Sequence, residues 1–138
     1  MRFFLDSNVL VSGIVFPGAE EWLLRATFRG EHTFVISEDV KRETLQVMKE
    51  KFPGLRGEAE EALAVIRVEM VPAKVYANRL RSFPRLRDPT DAHILAAAVS
   101  SACDAVVTGD RDLLVLGVVE RVRIIRPSEA RRLITRST

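Results

Sequence analysis

Residues 104–112 read DAVVTGDRD, an apolar β-branched run that ends at a glycine turn and is followed at once by two acids, Asp110 and Asp112. Val106, Val107 and Thr108 suit a strand, and Gly109 stops it. Four more runs of this build punctuate the chain: RFFL (2–5) before Asp6, TFVI (33–36) before Ser37, RVEMV (67–71) before Pro72 and VRII (122–125) before Arg126. Between them lie helical patterns in AEEWLLRATFRG (19–30), SEDVKRETLQVMKEKF (37–52), GEAEEALAVI (57–66) and DPTDAHILAAAVSSA (88–102). Apolar strands that alternate with helices belong to a parallel sheet covered on both faces. The fold class is therefore α/β, a three-layer α/β/α sandwich around a central parallel β-sheet of four to five strands.

The length of 138 residues suits one domain that buries roughly two-thirds of its unfolded surface, so residues 1–138 read as a single unit. Hydrophobic residues make up 47% and charged residues 29%, a globular balance without linker, repeat or low-complexity segment. The basic, apolar start MRFFLDSNVLVSGIVF is broken by Asp6 and carries no small-residue cleavage site, so it does not read as an export signal. No run approaches the ~18 apolar residues that span a bilayer, and the single Cys103 has no disulfide partner within the chain. A reducing cytoplasm is the expected location, with no membrane contact. Net charge is only +2, yet residues 79–138 hold 11 arginines against 7 acids. That bias suits either a solvated surface or a nucleic-acid partner.

In open parallel sheets the polar site lies beyond the carboxyl ends of the strands, where strand order reverses. Those positions are acidic here. Asp6 follows the first strand, and Asp110 and Asp112 follow the strand ending near Val107. Ser37 caps a helix in which Val40, Glu43, Thr44 and Val47 share a face, with Glu43 its odd member. Asp88 before Pro89 is a helix cap, and Asp91 falls three residues later, where an acid can bond back to the cap. Each acid alone has a structural reading as a turn or cap residue. Convergence of four segments on one edge has none, because gathered like charges raise one another's pKa unless a cation shares the site. All-oxygen ligation suits Mg²⁺ or Mn²⁺.

The succession FLDSNVLVSG (4–13), ISEDVKRETLQVM (36–48), DPTDAHILAAA (88–98), AVVTGDRDLLVL (105–116) and VRIIRPSEARRLI (122–134) resembles the PIN-domain nucleases, in particular the VapC-like toxins of bacterial and archaeal toxin–antitoxin pairs. The resemblance covers nearly the whole chain. It implies a PIN-like sandwich and an Mg/Mn-dependent endoribonuclease, a hydrolase of RNA phosphodiester bonds held off by a cognate antitoxin. It also implies a homodimer. Position by position, the family's acids correspond to Asp6, Glu43, Asp91 and Asp110 as catalytic residues, with Asp6 and Asp91 as principal metal ligands, Asp110 as a further ligand directly or through water, and Glu43 as a water-mediated ligand or activator. Asn8, Thr108 and Asp112 are implied as accessory residues, Thr108 by orienting the first acid. Asp88 is left as the cap.

Metal-bound water suffices for phosphodiester hydrolysis, so the residue types suit that chemistry by themselves. Arg79, Arg81, Arg85 and Arg87 flank the third acid and are candidates to track an RNA backbone, against an ordinary solvated surface. His93, two positions from Asp91, reads as a packing or surface residue. His32 sits in a polar connection, and Cys103 reads as a small buried hydrophobe. Trp22, Leu23, Leu24 and Phe28 read as core on one side, and any apolar remainder of their helix is a first candidate for a dimer or antitoxin contact. Two rivals remain. A catalytically inactive PIN-like scaffold would bind RNA or protein without turnover. A Mg-dependent phosphoaspartyl phosphatase of haloacid dehalogenase type needs a second Asp where this chain has Asn8, and only Lys74 remains as a downstream lysine.

Overall fold

The computed structural model describes residues 1–83 and 91–137. In chain order the elements are β1 (Arg2–Leu5), α1 (Ser7–Val15), α2 (Ala19–Ala26), β2 (Thr33–Ser37), α3 (Glu38–Lys51), α4 (Arg56–Val65), β3 (Glu69–Val71), α5 (Ala73–Tyr76), α6 (Asp91–Ser100), β4 (Ala105–Val107), α7 (Arg111–Leu114), β5 (Val118–Val119), β6 (Val122–Ile125) and α8 (Pro127–Arg136). The strands form one sheet in the order β3-β2-β1-β4-β6-β5. The five expected strands pair in parallel, and a sixth, β5, adds an antiparallel edge to β6. On one side of the sandwich α1 packs against α2, α3 and α4, and α2 against α8. On the other, α6 packs against α5, β2 and β4.

The chain builds outward from β1 through β2 to β3, then returns to place β4 on the opposite flank of β1. Strand order therefore reverses between β1 and β4, and the crevice beyond their carboxyl ends is the expected polar site of such a sheet. Leu5 lies beside Val107 in that pairing, so Asp6 and Thr108 leave the sheet as neighbours.

Among the elements absent from the sequence reading, which also include the helices α5 and α8, two have a clear physical reason. The stretch Ser7–Val15 carries Val9, Val11, Ile14, Val15 and Gly13, a composition of poor helix formers, yet it is helical. Burial on several sides overrides propensity there. Val9, Leu10, Val11 and Gly13 are all buried, and a Cβ at Gly13 would stand 2.6 Å from Leu24 Cδ1 and 3.0 Å from the Glu20 carbonyl. Glycine is what lets α1 and α2 approach. The second departure is β5, joined to β6 through Glu120 and Arg121, both in the left-handed region at φ 45° and 74°. A two-residue hairpin of that geometry favours Asn-Gly, so Glu-Arg gives no sequence signal for it.

The core cluster runs from Phe3 to Ile134 through every strand except β5 and includes Leu23, Leu24 and the buried Cys103. Phe28, expected with them, is 47% exposed, and Trp22 is only half-buried, with the Arg29 and Arg131 guanidinium carbons 5.0 and 5.1 Å from its ring centroid. No described helix is long and apolar enough to cross a membrane.

Tyr76, the only tyrosine, is 1% exposed and donates its hydroxyl to Asp39 Oδ2. Burial, reinforced by the bond to Asp39, pushes its pKa up to about 12. Because the folded value lies above the unfolded one of about 10, its contribution to stability is whole below pH ~10 and lost as pH rises through about 12. An ultraviolet phenolate titration should show one transition near 12 in the native protein and one near 10 in denaturant. Ionisation near 10 with native circular dichroism would contradict this environment.

Candidate active site

Asp6 ends β1 and begins α1 at once. The residue is 5% exposed and both carboxylate oxygens are bonded: Oδ1 accepts the Ser7 N–H at 2.7 Å, while Oδ2 accepts the Asn8 amide at 2.9 Å and the Thr108 hydroxyl at 2.8 Å. Thr108 in turn accepts the Asp110 N–H at 3.0 Å, and Asn8 Oδ1 accepts the Gly109 N–H at 3.0 Å. Thr108 thus bridges Asp6 and the Asp110 backbone, and Asn8 ties the two strand ends together. The position a phosphoaspartyl phosphatase would give to a second Asp is filled by an amide acting as a bridge.

Glu43 reaches the site from the middle of α3, a helix capped by Ser37 Oγ accepting the Val40 N–H at 3.1 Å. Glu43 Oε2 accepts the Ser7 hydroxyl at 3.1 Å, and Oε1 faces His93 Nε2 at 3.4 Å. Asp91 is the first described residue of α6 and is 8% exposed. Asp110 caps α7, its Oδ1 accepting the Asp112 N–H at 2.9 Å.

These acids line one small, polar pocket of about 160 Å³, walled by Asp6, Ser7, Asn8, Glu43, Asp91, His93, Ile94 and Asp110. The structure therefore brings Asp6, Asn8, Glu43, Asp91 and Asp110 together at one pocket. Asp112 stands outside the lining and supports the Asp110 cap through its backbone. Arg79 is taken up elsewhere, in an ion pair with Glu120 at 2.6 Å and a bond to Ser82 Oγ at 3.1 Å. The left-handed turn carries Glu120 to it, which the sequence does not show. Arg81 is exposed, and Arg85, Arg87 and Asp88 lie outside the described residues.

His93 is the residue that sequence reasoning undervalued. Helical spacing puts positions 91 and 93 on different faces, which matters for a helix lying along its neighbours. Here residues 91, 93 and 94 all line the pocket, so the first turn of α6 meets it end-on. Side chains of a first turn lean toward the N-terminus, so several of them reach the same mouth.

The electrostatics follow from this crowding. Burial raises the Asp6 pKa above the usual carboxylate value; the bonds from Thr108 and Ser7 oppose the rise, and the charges of Glu43 and Asp110 add to it. Glu43 is held low, first by the His93 hydrogen bond, with burial opposing and the His93 charge and Ser7 assisting. Burial pulls His93 down, yet the bond and charge of Glu43, helped by Asp39 and Asp6, leave it above its ordinary value.

The donor set is one for a hard cation. Among the described residues no three His, Cys, Asp or Glu side chains form a ready-made metal cage. The pocket instead gathers carboxylates from four segments around about 160 Å³, room for an ion that keeps some of its waters. Mg²⁺ binds in this manner, keeping several waters, and Mn²⁺ takes the same oxygen donors. The residues fit such an ion.

Residues 2–112 match the PIN domain family. No curated protein matches the chain in sequence. Among solved structures, VapBC2 from Rickettsia felis, bound to a DNA fragment of its promoter, superposes with a TM-score of 0.66 at 15% identity, covering 91% of this chain and 98% of that one. VapC20 from Mycobacterium tuberculosis, described as a sarcin–ricin loop cleaving toxin, gives 0.61 at 19% identity, covering 88% and 98%. DNA-bound VapBC from Salmonella typhimurium gives 0.60 at 20%, covering 92% and 98%. At such identities the likeness is one of fold.

Proposed function

This chain belongs to the PIN domain family, and on that premise we propose that it is an Mg²⁺- or Mn²⁺-dependent endoribonuclease, one PIN-like domain acting as the toxin of a toxin–antitoxin pair. The observation that carries the proposal is the convergence of Asp6, Glu43, Asp91 and Asp110 on one pocket at the point where strand order reverses. The antitoxin partner rests on the fold shared with the toxins of VapBC complexes. A homodimer and a cytoplasmic location complete the reading, the latter from the lone, buried Cys103.

Asp6, Asp91 and Asp110 would hold the ion, with Glu43 reaching it through water. When bound, a divalent ion supplies a water made nucleophilic near neutral pH and offsets negative charge on the phosphate. The chain's own part is to hold oxygens still. Asp6 is pinned from three sides, Asp110 is fixed as the α7 cap, and Glu43 is gripped between α1 and α6. Thr108 joins the first and fourth acids, so a shift of either strand end moves both.

Purified protein should cleave single-stranded RNA when Mg²⁺ or Mn²⁺ is supplied and stop when EDTA is added. RNA bound but left intact under all metal conditions would replace this reading with the scaffold. Cleavage that survives EDTA would remove the metal from it.

A further inference from the structure

We propose that His93 is a positioning residue that holds the Glu43 carboxylate over the acidic pocket through its Nε2–H. The proposal deepens the nuclease reading and rests on it for its kinetic consequences alone.

Glu43 needs such a partner. It projects from mid-α3 on a long side chain that is 38% exposed, and nothing in its own helix stops it swinging into solvent. Two contacts from other elements stop it: the Ser7 hydroxyl on Oε2 and His93 on Oε1. His93 lies on the first turn of α6, two residues beyond Asp91, and its side chain is 14% exposed. The pair therefore couples α3 to the helix that carries the third acid.

The geometry also assigns the proton. An ionised carboxylate only accepts, so the nitrogen facing Glu43 carries hydrogen. The other ring nitrogen, Nδ1, is buried with no hydrogen-bond partner among the described residues. Buried polar atoms are nearly always satisfied, so an unpartnered one calls for an explanation. Apolar packing would be served as well by leucine without an orphaned nitrogen. What leucine lacks is a donor for Glu43. The 3.4 Å separation is long, as contacts in catalytic sites often are before substrate binds.

Two amide replacements separate the ring nitrogens, since glutamine carries its NH₂ about where Nε2 lies and asparagine about where Nδ1 lies. Relative to wild type, His93→Leu and His93→Asn should lower kcat for RNA cleavage by ~10–100-fold, the usual cost of losing a group that orients a ligand, with KM little changed. His93→Gln should restore most of that loss. In a Glu43→Gln background, His93→Leu should cost nothing further, because the residue acts through Glu43. Rescue by asparagine instead of glutamine, or losses that multiply in the double variant, would overturn the proposal.

A second measurement does not depend on cleavage. Nitrogen-15 imidazole spectra of the metal-free protein should place the His93 proton on Nε2, and Glu43→Gln should shift the His93 signals while leaving those of His32 in place. If the spectra behave so and wild type cuts no RNA, the nuclease reading fails and the positioning role stands. A neutral His93 protonated on Nδ1, or one indifferent to Glu43→Gln, overturns the role whatever the activity.

Discussion

Asp91→Asn is expected to lower RNA cleavage at least ~100-fold while the protein stays folded, a loss of about 2.7 kcal/mol of transition-state stabilisation. Asp91 is the first acid to test. It opens α6, is buried against the pocket, and on becoming asparagine loses its charge and one of its two acceptor oxygens. Asp6 is a second test with a structural cost. Its carboxylate accepts three hydrogen bonds, and an amide there would set one NH₂ against the Ser7 N–H or the Asn8 NH₂. Asp6→Asn should therefore lose activity to a similar degree and lose stability with it. Asp88→Asn, outside the described residues, is the comparator: asparagine caps nearly as well as aspartate, so activity should largely survive. Equal losses at 88 and 91 would show that the two acids do not divide capping from chemistry.

Added Mn²⁺ should raise the melting temperature of the wild-type protein in a concentration-dependent way. A ligand bound only by the folded state stabilises it by about 2.7 kcal/mol at a hundred times its dissociation constant, which is several degrees for a chain of this size. The physical reason is already visible without the ion: Glu43 and Asp110 push the Asp6 pKa up, so the pocket holds charges that oppose one another. A cation relieves that opposition. Asp91→Asn should blunt the response, and in EDTA it should melt no lower than wild type, having lost a repelling charge. Melts in which wild type ignores Mn²⁺ and Asp91→Asn collapses in EDTA would make Asp91 a structural cap and favour the scaffold.

Much of this site is legible in the sequence because its acids sit where local chemistry marks them. Asp6 and Asp110 each follow an apolar run that has to be a strand, and Glu43 breaks an apolar helical stripe after a clear serine cap. The fold is legible for the same reason in its five parallel strands. What stays hidden depends on distant partners. Helix α1 is disfavoured by its own β-branched residues and exists because neighbours bury it. His93 is misplaced by helical spacing, since its helix meets the pocket with its end and not its side. Arg79 looks free for RNA until a turn with no sequence signature brings Glu120 to it.

The seam between β1 and β4 has a consequence for the order in which the molecule can exist. Its first strand pairs with residues 105–107, and the Asp6–Thr108 bond spans 102 positions of sequence. During synthesis, which runs from the N-terminus, a chain that has not yet emerged past its fourth parallel strand can build β1, β2 and their helices but cannot complete the pocket. Closing so long a loop is also entropically slow, so the pocket is among the last features to assemble. A growing or truncated polypeptide therefore carries at most three of the four acids and no Thr108 to orient the first. Whatever chemistry the finished pocket performs can begin only after residues 105–110 have emerged and joined β1.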